Sequence, residues 1–277
     1  MCEFCQKHGE GKKWYLNVKN YSHDLLSDLS RKKFIENFFS EAMGEGFEKL
    51  IKSERIFAKK KRMPANLVTQ FVDSNKENHF GQVVPVEDVR AIFEMCSSIS
   101  RIACGCRWAT AKKEERCCFG ITIDPLKWYE KCDTGYFGRP DLAQYESMTM
   151  NEAMDSVKTF DRQGLIHSVW TFMTPFIGAV CNCDVEGCMA MRHTRGLDMQ
   201  AMFRAEYVAE VDKLLCNGCR GCENICPVKS VDHLEHEQKC RVDKTKCYGC
   251  GVCRTACNLG AIILKNRSED PIASAIW

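Results

Sequence analysis

Eight cysteines late in the sequence recur in two runs with the same spacing, and this repetition constrains the fold more than any other feature. The runs are Cys216-x2-Cys219-x2-Cys222-x3-Cys226-Pro227 and Cys247-x2-Cys250-x2-Cys253-x3-Cys257. Two residues between cysteines let one tight loop present three thiolates to one centre, and the intervening glycines permit the positive φ values of such a loop. Backbone N–H groups can then point at the sulfurs. The runs predict two metal-binding loops.

The runs resemble those of the bacterial-type ferredoxin family with two [4Fe-4S] clusters, over residues 206–265. The resemblance implies that the fourth cysteine of each run serves the other cluster. Tyr207–Val211 and Ala261–Leu264 fall where that fold has its outer strands, and Asn258 replaces a frequent proline that only stiffens the turn. Zinc is the minor alternative, because duplicated four-cysteine runs are not zinc-finger spacing. The implied ligands are Cys216, Cys219, Cys222 and Cys257 for cluster one, and Cys247, Cys250, Cys253 and Cys226 for cluster two.

The charge of this unit bears on its partners. Residues 206–265 carry eight acidic and nine basic side chains, whereas free shuttle ferredoxins of the family are strongly acidic. We therefore expect a redox partner protein, with this chain as a subunit of a larger oxidoreductase assembly. A cubane with four thiolate ligands has no open position, so the unit is expected to pass single electrons and to bind no substrate.

A second group of cysteines lies in the middle of the sequence. A C-x-C pair in an extended segment places both side chains on one side of a strand. Two such pairs on neighbouring strands predict a metal centre of Cys104, Cys106, Cys181 and Cys183, with Cys118 or Cys188 able to replace one ligand. Both an additional iron–sulfur cluster and zinc are open here. The group comprises Cys104-x-Cys106-Arg107, Cys117-Cys118, Cys132, Cys181-x-Cys183 and Cys188.

Three short motifs of this part, C-x-C-R, G-L-I-H at 164–167 and C-N-C at 181–183, resemble those of uncharacterised ferredoxin-domain proteins from anaerobes. Relatives often carry a denser cysteine run after C-N-C, whereas here residues 184–187 separate it from Cys188. His167 is expected to be a hydrogen-bonded core residue rather than a ligand. Cys2 and Cys5, with His8, are candidate ligands of a further site. Cys96, Cys132 and Cys240 are interpreted as plain buried thiols.

The remaining pattern predicts an α+β fold. We expect a mainly helical region at 1–100, a cysteine-rich middle region at 101–202, a dicluster ferredoxin domain at 203–265 and a tail at 266–277. Ser22 is predicted to cap one long helix, Pro85 to begin another, and Thr149 with Glu152 to form a capping box for a helix that stops at Gly164. The apolar runs Leu165–Trp170 and Phe176–Cys181 predict short strands.

Composition excludes several classes of protein. Lys plus Arg number 39 against 37 Asp plus Glu, so no global charge favours nucleic acid. Residues 52–62 carry six basic side chains and one Glu, which indicates a solvated helix end or a docking face for an acidic partner. No stretch is long and apolar enough for a transmembrane segment and no secretory signal is visible, so a cytoplasmic location is expected. No nucleotide-binding or serine-hydrolase motif occurs.

Three functional hypotheses follow. The first is an electron-transfer protein whose two [4Fe-4S] clusters serve a partner oxidoreductase. The second is a reductase or reductive activator whose middle cysteine cluster itself binds the substrate. In the third, a zinc-stiffened docking module precedes a ferredoxin unit that is the only redox part.

Overall fold

The computed structural model describes residues 12–38, 46–60, 64–123 and 145–276. Cys2, Cys5, His8 and Cys132 lie outside these ranges. Within them the helices are α1 His23–Ser27, α2 Leu29–Asn37, α3 Phe47–Lys60, α4 Ala65–Asn78, α5 Val86–Met95, α6 Gly105–Ala111, α7 Met150–Arg162, α8 Met189–Gly196 and α9 Gly221–Ile225. The strands are β1 Gly81–Val83, β2 Ser98–Ile102, β3 Cys118–Thr122, β4 Glu146–Met148, β5 Ile166–Thr171, β6 Ile177–Cys183, β7 Met202–Phe203, β8 Tyr207–Val211, β9 Val231–Leu234, β10 Lys239–Val242 and β11 Ile262–Asn266.

Seven of the described strands form one mixed sheet in the order β4-β2-β3-β6-β5-β1-β7. All neighbours are antiparallel except β1 and β7. This mixture of helices and sheet agrees with the α+β prediction. The sheet contains β1 and β2, so the expected boundary at residues 100 and 101 falls inside β2.

The two faces of this sheet differ. On one face, α5 and α7 pack through buried residues such as Val89, Phe93 and Val157 against the apolar side chains of β3 and β6. Because side chains alternate along a strand, Phe119 and Val180 lie in that core while Cys118 and Cys181 line a cavity on the other face. The sheet therefore separates an apolar core from a face that carries thiols.

Local signals located several elements correctly. Thr149 and Glu152 form the predicted capping box of α7, and Gly164, with φ of 84°, follows its end. The strands predicted at 165–170 and 176–181 are β5 and β6. The single helix expected after Ser22 is broken, because the Asp28 carboxylate accepts a hydrogen bond from the Arg31 backbone and begins α2.

The C-terminal unit consists of two strand pairs, β8 with β11 and β9 with β10, around the loops that carry the eight cysteines. The outer strands lie where the sequence predicts them. The segment at 266–276 contacts this unit through Arg267, whose fully buried side chain donates to the carbonyl oxygens of Tyr207 and Cys247. None of the helices in the described ranges has the length and apolarity needed to cross a membrane.

Candidate metal centres

The first cysteine quartet surrounds one cavity. A space of about 300 Å³ is lined by Cys216, Cys219 and Cys222 from one run and by Cys257 from the other. Cys240, interpreted from sequence as a plain buried thiol, also lines it, and its backbone N–H lies 3.4 Å from the Cys216 sulfur. The four cysteines named for cluster one thus face a common space.

The second quartet is buried on all sides. Cys226, Cys247, Cys250 and Cys253 are each less than a tenth exposed. Burial raises the pKa of Cys250, and the thiolates of Cys247 and Cys226 add to this effect because they lie close by. Cys226 therefore lies near Cys250 and Cys253 of the other run, although 21 positions separate it from Cys247, where that run begins.

The loops around both quartets point backbone N–H groups at sulfur. The N–H of Gly249 donates to Cys247, that of Ser230 to Cys226 and that of Ala261 to Cys257, at 3.2 to 3.3 Å. Gly249 has φ of 70°, and a Cβ there would overlap the carbonyl oxygen of Tyr207. Such donors stabilise anionic sulfur, which suits these loops to an anionic iron–sulfur cluster.

Two arginines, the buried Arg267 and the half-buried Arg204, lie beside the second quartet. The Arg267 guanidinium donates to the carbonyl oxygens of Cys247 and Tyr207 at 3.1 and 3.0 Å, and Arg204 donates to that of Cys247 at 2.8 Å. Burial lowers the pKa of Arg267 to about 10, so it stays charged at neutral pH. The positive charges of these two arginines thus partly offset the negative charge that thiolates of the second quartet carry.

The middle cysteines meet in one connected cluster. The sulfurs of Cys104, Cys117 and Cys118 all lie within 4.8 Å of one another, a spacing suited to a metal ion. Cys106 and Cys188 are within hydrogen-bonding reach of each other, and Cys183 lies within reach of Cys188. The seven cysteines of this cluster among the described residues are Cys104, Cys106, Cys117, Cys118, Cys181, Cys183 and Cys188.

The elements that bring them together only partly match the expectation. Cys181 and Cys183 lie in β6 and share its cavity face, as the alternation of a strand requires. Cys104 and Cys106 do not share an extended segment: Cys104 is extended but is the N-cap of α6, and Cys106 lies in the first turn of that helix. The strand that leads into Cys104, β2, also does not pair with β6, since β3 lies between them and pairs Cys118 with Cys181.

The protonation of this cluster is uneven. Hydrogen bonds from Cys106, Cys117 and Cys118 lower the pKa of Cys104 well below its usual value, and those from Cys106 and Cys183 do the same for Cys188. The pKa of Cys106 is raised because its proton is shared with Cys104 and Cys188. The cluster is therefore arranged so that a cation can replace shared protons.

Sequence reasoning left out Cys117 as a ligand, although the adjacent Cys117-Cys118 pair was visible. Its sulfur accepts a hydrogen bond from Arg107, the arginine of the C-x-C-R motif. Arg107 also pairs with Asp184 at 2.7 Å. Asp184, which lies between Cys183 and Cys188, thus supplies one counter-charge to Arg107, and Glu115 at 3.0 Å supplies another.

A buried polar chain lies between the two cysteine-rich regions. The Nδ1 atom of His167 lies 2.6 Å from Asn182 Oδ1, and Asn182 donates to the Cys117 carbonyl at 2.6 Å. On the other side, His167 Nε2 lies 3.5 Å from Asp161, whose charge acts on Cys250. His167 is fully buried, which confirms a hydrogen-bonded core residue.

Comparison with protein-family models, with curated proteins and with solved structures gave no match. Function is therefore inferred from the cysteines and their surroundings. Of the basic segment at 52–62, the described side chains of Lys52 and Arg55 are exposed on α3, while Glu54 pairs with Arg192 at 2.7 Å.

Proposed function

We propose that the chain is an iron–sulfur electron-transfer protein. Two [4Fe-4S] clusters in the C-terminal unit relay single electrons to or from a partner oxidoreductase, and an additional metal centre is bound by the middle cysteines. The observation that carries the proposal is the common cavity of Cys216, Cys219, Cys222 and Cys257, which combines ligands from both runs.

The residues present fit such clusters. Each quartet offers four thiols with N–H donors directed at sulfur, and the cavity walls are apolar, with Val211, Ala261 and Ile262 around the first quartet. Bound there, a [4Fe-4S] cluster supplies reversible one-electron chemistry. The protein's part is to fix the thiolates, exclude water and set the local charge through Arg204 and Arg267.

The deciding experiment is an iron and acid-labile sulfide count on the full chain, purified anaerobically. About eight irons with eight sulfides support the two clusters, and about twelve or more support an additional iron–sulfur cluster in the middle region. Eight irons with zinc would assign the middle centre to zinc. Fewer than about four irons would contradict the proposal.

A second candidate function is favoured by the space beside the middle cluster. A cavity of about 600 Å³ adjoins Cys104, Cys106, Cys118, Cys181, Cys183 and Cys188. This is twice the space at the first quartet, so a metal centre would not fill it. In this alternative the chain is a reductase or reductive activator whose middle centre receives electrons from the C-terminal unit and acts on a bound molecule.

A further inference from the structure

Part of the wall of the large cavity is aromatic. The ring of His79 lies 4.3 Å from that of Phe38 and 4.9 Å from that of Trp170, between ring centroids. Phe172 meets Phe38 edge to face at 5.2 Å. Further aromatic side chains complete the lining: Phe34, Phe47, Phe71 and Tyr145. Rings arranged at such distances favour contact with another flat, unsaturated body.

The interior of this cavity offers little to a charged ligand. Burial lowers the pKa of His79 to about 4, so its ring is neutral at pH 7, and its Nδ1 atom is bonded to the Thr171 carbonyl at 2.5 Å. Arg107 is paired with Asp184, and Lys49 is exposed. A carboxylate brought into the aromatic part would lose water without gaining a counter-charge.

We infer that this cavity binds a small uncharged molecule with a flat aromatic or conjugated body, held against the aromatic wall beside the middle cysteines. This ligand class is the substrate class of the second candidate function. The inference rests on that function only for a redox centre at the cysteines. Binding itself requires no metal. The space beyond that of one cluster cavity, about 300 Å³, lies within the range of small-molecule sites.

The test is calorimetric titration of 1-naphthol into the full, anaerobically purified chain, with 1-naphthoate as the charged analogue. We expect 1-naphthol to bind one site with a dissociation constant of about 10 to 100 μM. The carboxylate is expected to bind at least about tenfold more weakly, because its charge must be desolvated.

A filling variant locates the site. Leu50 lies half-buried on α3 and lines the cavity, so Leu50→Trp places an indole inside it. We expect Leu50→Trp to weaken 1-naphthol binding at least about tenfold. Leu67→Trp is the matched control, because Leu67 is 40% exposed on α4 and does not line the cavity. Its affinity should stay within about twofold of wild type.

Three results would overturn the inference: no 1-naphthol binding by wild type, equal binding by Leu50→Trp, or tighter binding of 1-naphthoate. Iron and sulfide counts on the same samples separate this failure from that of the proposed function. If 1-naphthol binds and the chain holds about eight irons, the ligand site is supported and the middle iron–sulfur cluster is refuted. About twelve irons without 1-naphthol binding would retain the middle iron–sulfur cluster and refute the ligand site. Circular dichroism of both variants verifies that they fold.

Discussion

The two cysteine-rich regions surround their thiols in different ways. In the C-terminal unit, each quartet is gathered by short loops, and the first encloses a space of about 300 Å³. In the middle region, seven cysteines come from two helix ends and two strand segments, and six of them border a space of about 600 Å³. The first arrangement suits a centre that only exchanges electrons. The second leaves room beside the centre for another molecule.

The largest expected effect tests whether the C-terminal quartets are crossed. Cys257→Ala should remove the cluster bound by Cys216, Cys219 and Cys222, lowering the iron content by about four. Stability should fall with it, because a 60-residue unit buries too little core to fold without its clusters. Electron paramagnetic resonance of the reduced protein would identify the missing cluster.

Cys240→Ala is the matched control for that variant, since Cys240 lines the same cavity and its change should leave the iron count unaltered. Damage confined to the cluster of Cys247, Cys250 and Cys253 in the Cys257→Ala protein would refute the crossed assignment.

The middle region is tested by Cys104→Ala. Cys104 contacts Cys106, Cys117 and Cys118, so its loss should abolish metal binding in excess of the eight irons proposed for the C-terminal unit. Metal analysis should register the loss while the spectrum of the other clusters is retained. Cys96→Ala serves as control, because Cys96 lies outside the cluster and burial raises its pKa to about 12. Unchanged metal content in Cys104→Ala would exclude a centre built on Cys104.

A third variant tests how much the close approach of backbone segments at Gly249 contributes to stability. Gly249→Ala combines a positive φ with overlap of the Tyr207 carbonyl, and we expect a loss of about 3 kcal/mol in the free energy of unfolding. Gly260→Ala has a similar φ of 63° but open space, so its cost should be about 1 kcal/mol. Anaerobic urea unfolding, followed by cluster absorbance, measures both. Equal costs would mean that the close approach at Gly249 contributes nothing.

The smallest effect concerns the charge near the second quartet. Arg204→Met removes a cation beside Cys247, and the reduction potential of cluster two should fall by roughly 50 mV. Cluster one, farther from this residue in the fold, should shift less. Redox titration followed by electron paramagnetic resonance distinguishes the two. An equal shift in both clusters would argue against a local electrostatic effect.

The sequence predicted those elements that depend on the spacing of residues close together in the chain. The capping box at Thr149, the strands β5 and β6 and the outer strands β8 and β11 were all visible as local patterns. The middle cluster was only partly visible, because its assembly depends on β3 lying between β2 and β6. The prediction of one extended segment for both Cys104 and Cys106 was wrong at Cys106, since the chain turns into α6 immediately after the extended Cys104. The cavity's aromatic wall could not be foreseen, because its rings come from segments far apart in sequence.

The buried side chain of Arg267 has a consequence for how the protein is made. It donates hydrogen bonds to the carbonyl oxygens of Ala205, Tyr207 and Cys247. Arg267 nevertheless follows every cysteine of the chain in the sequence and is translated after them. Because synthesis proceeds from the N-terminus, the nascent C-terminal unit has all of its thiols before Arg267 is added. Arg267 can therefore bond these carbonyls only after translation has passed residue 267, later than the synthesis of all four cysteines of the second quartet.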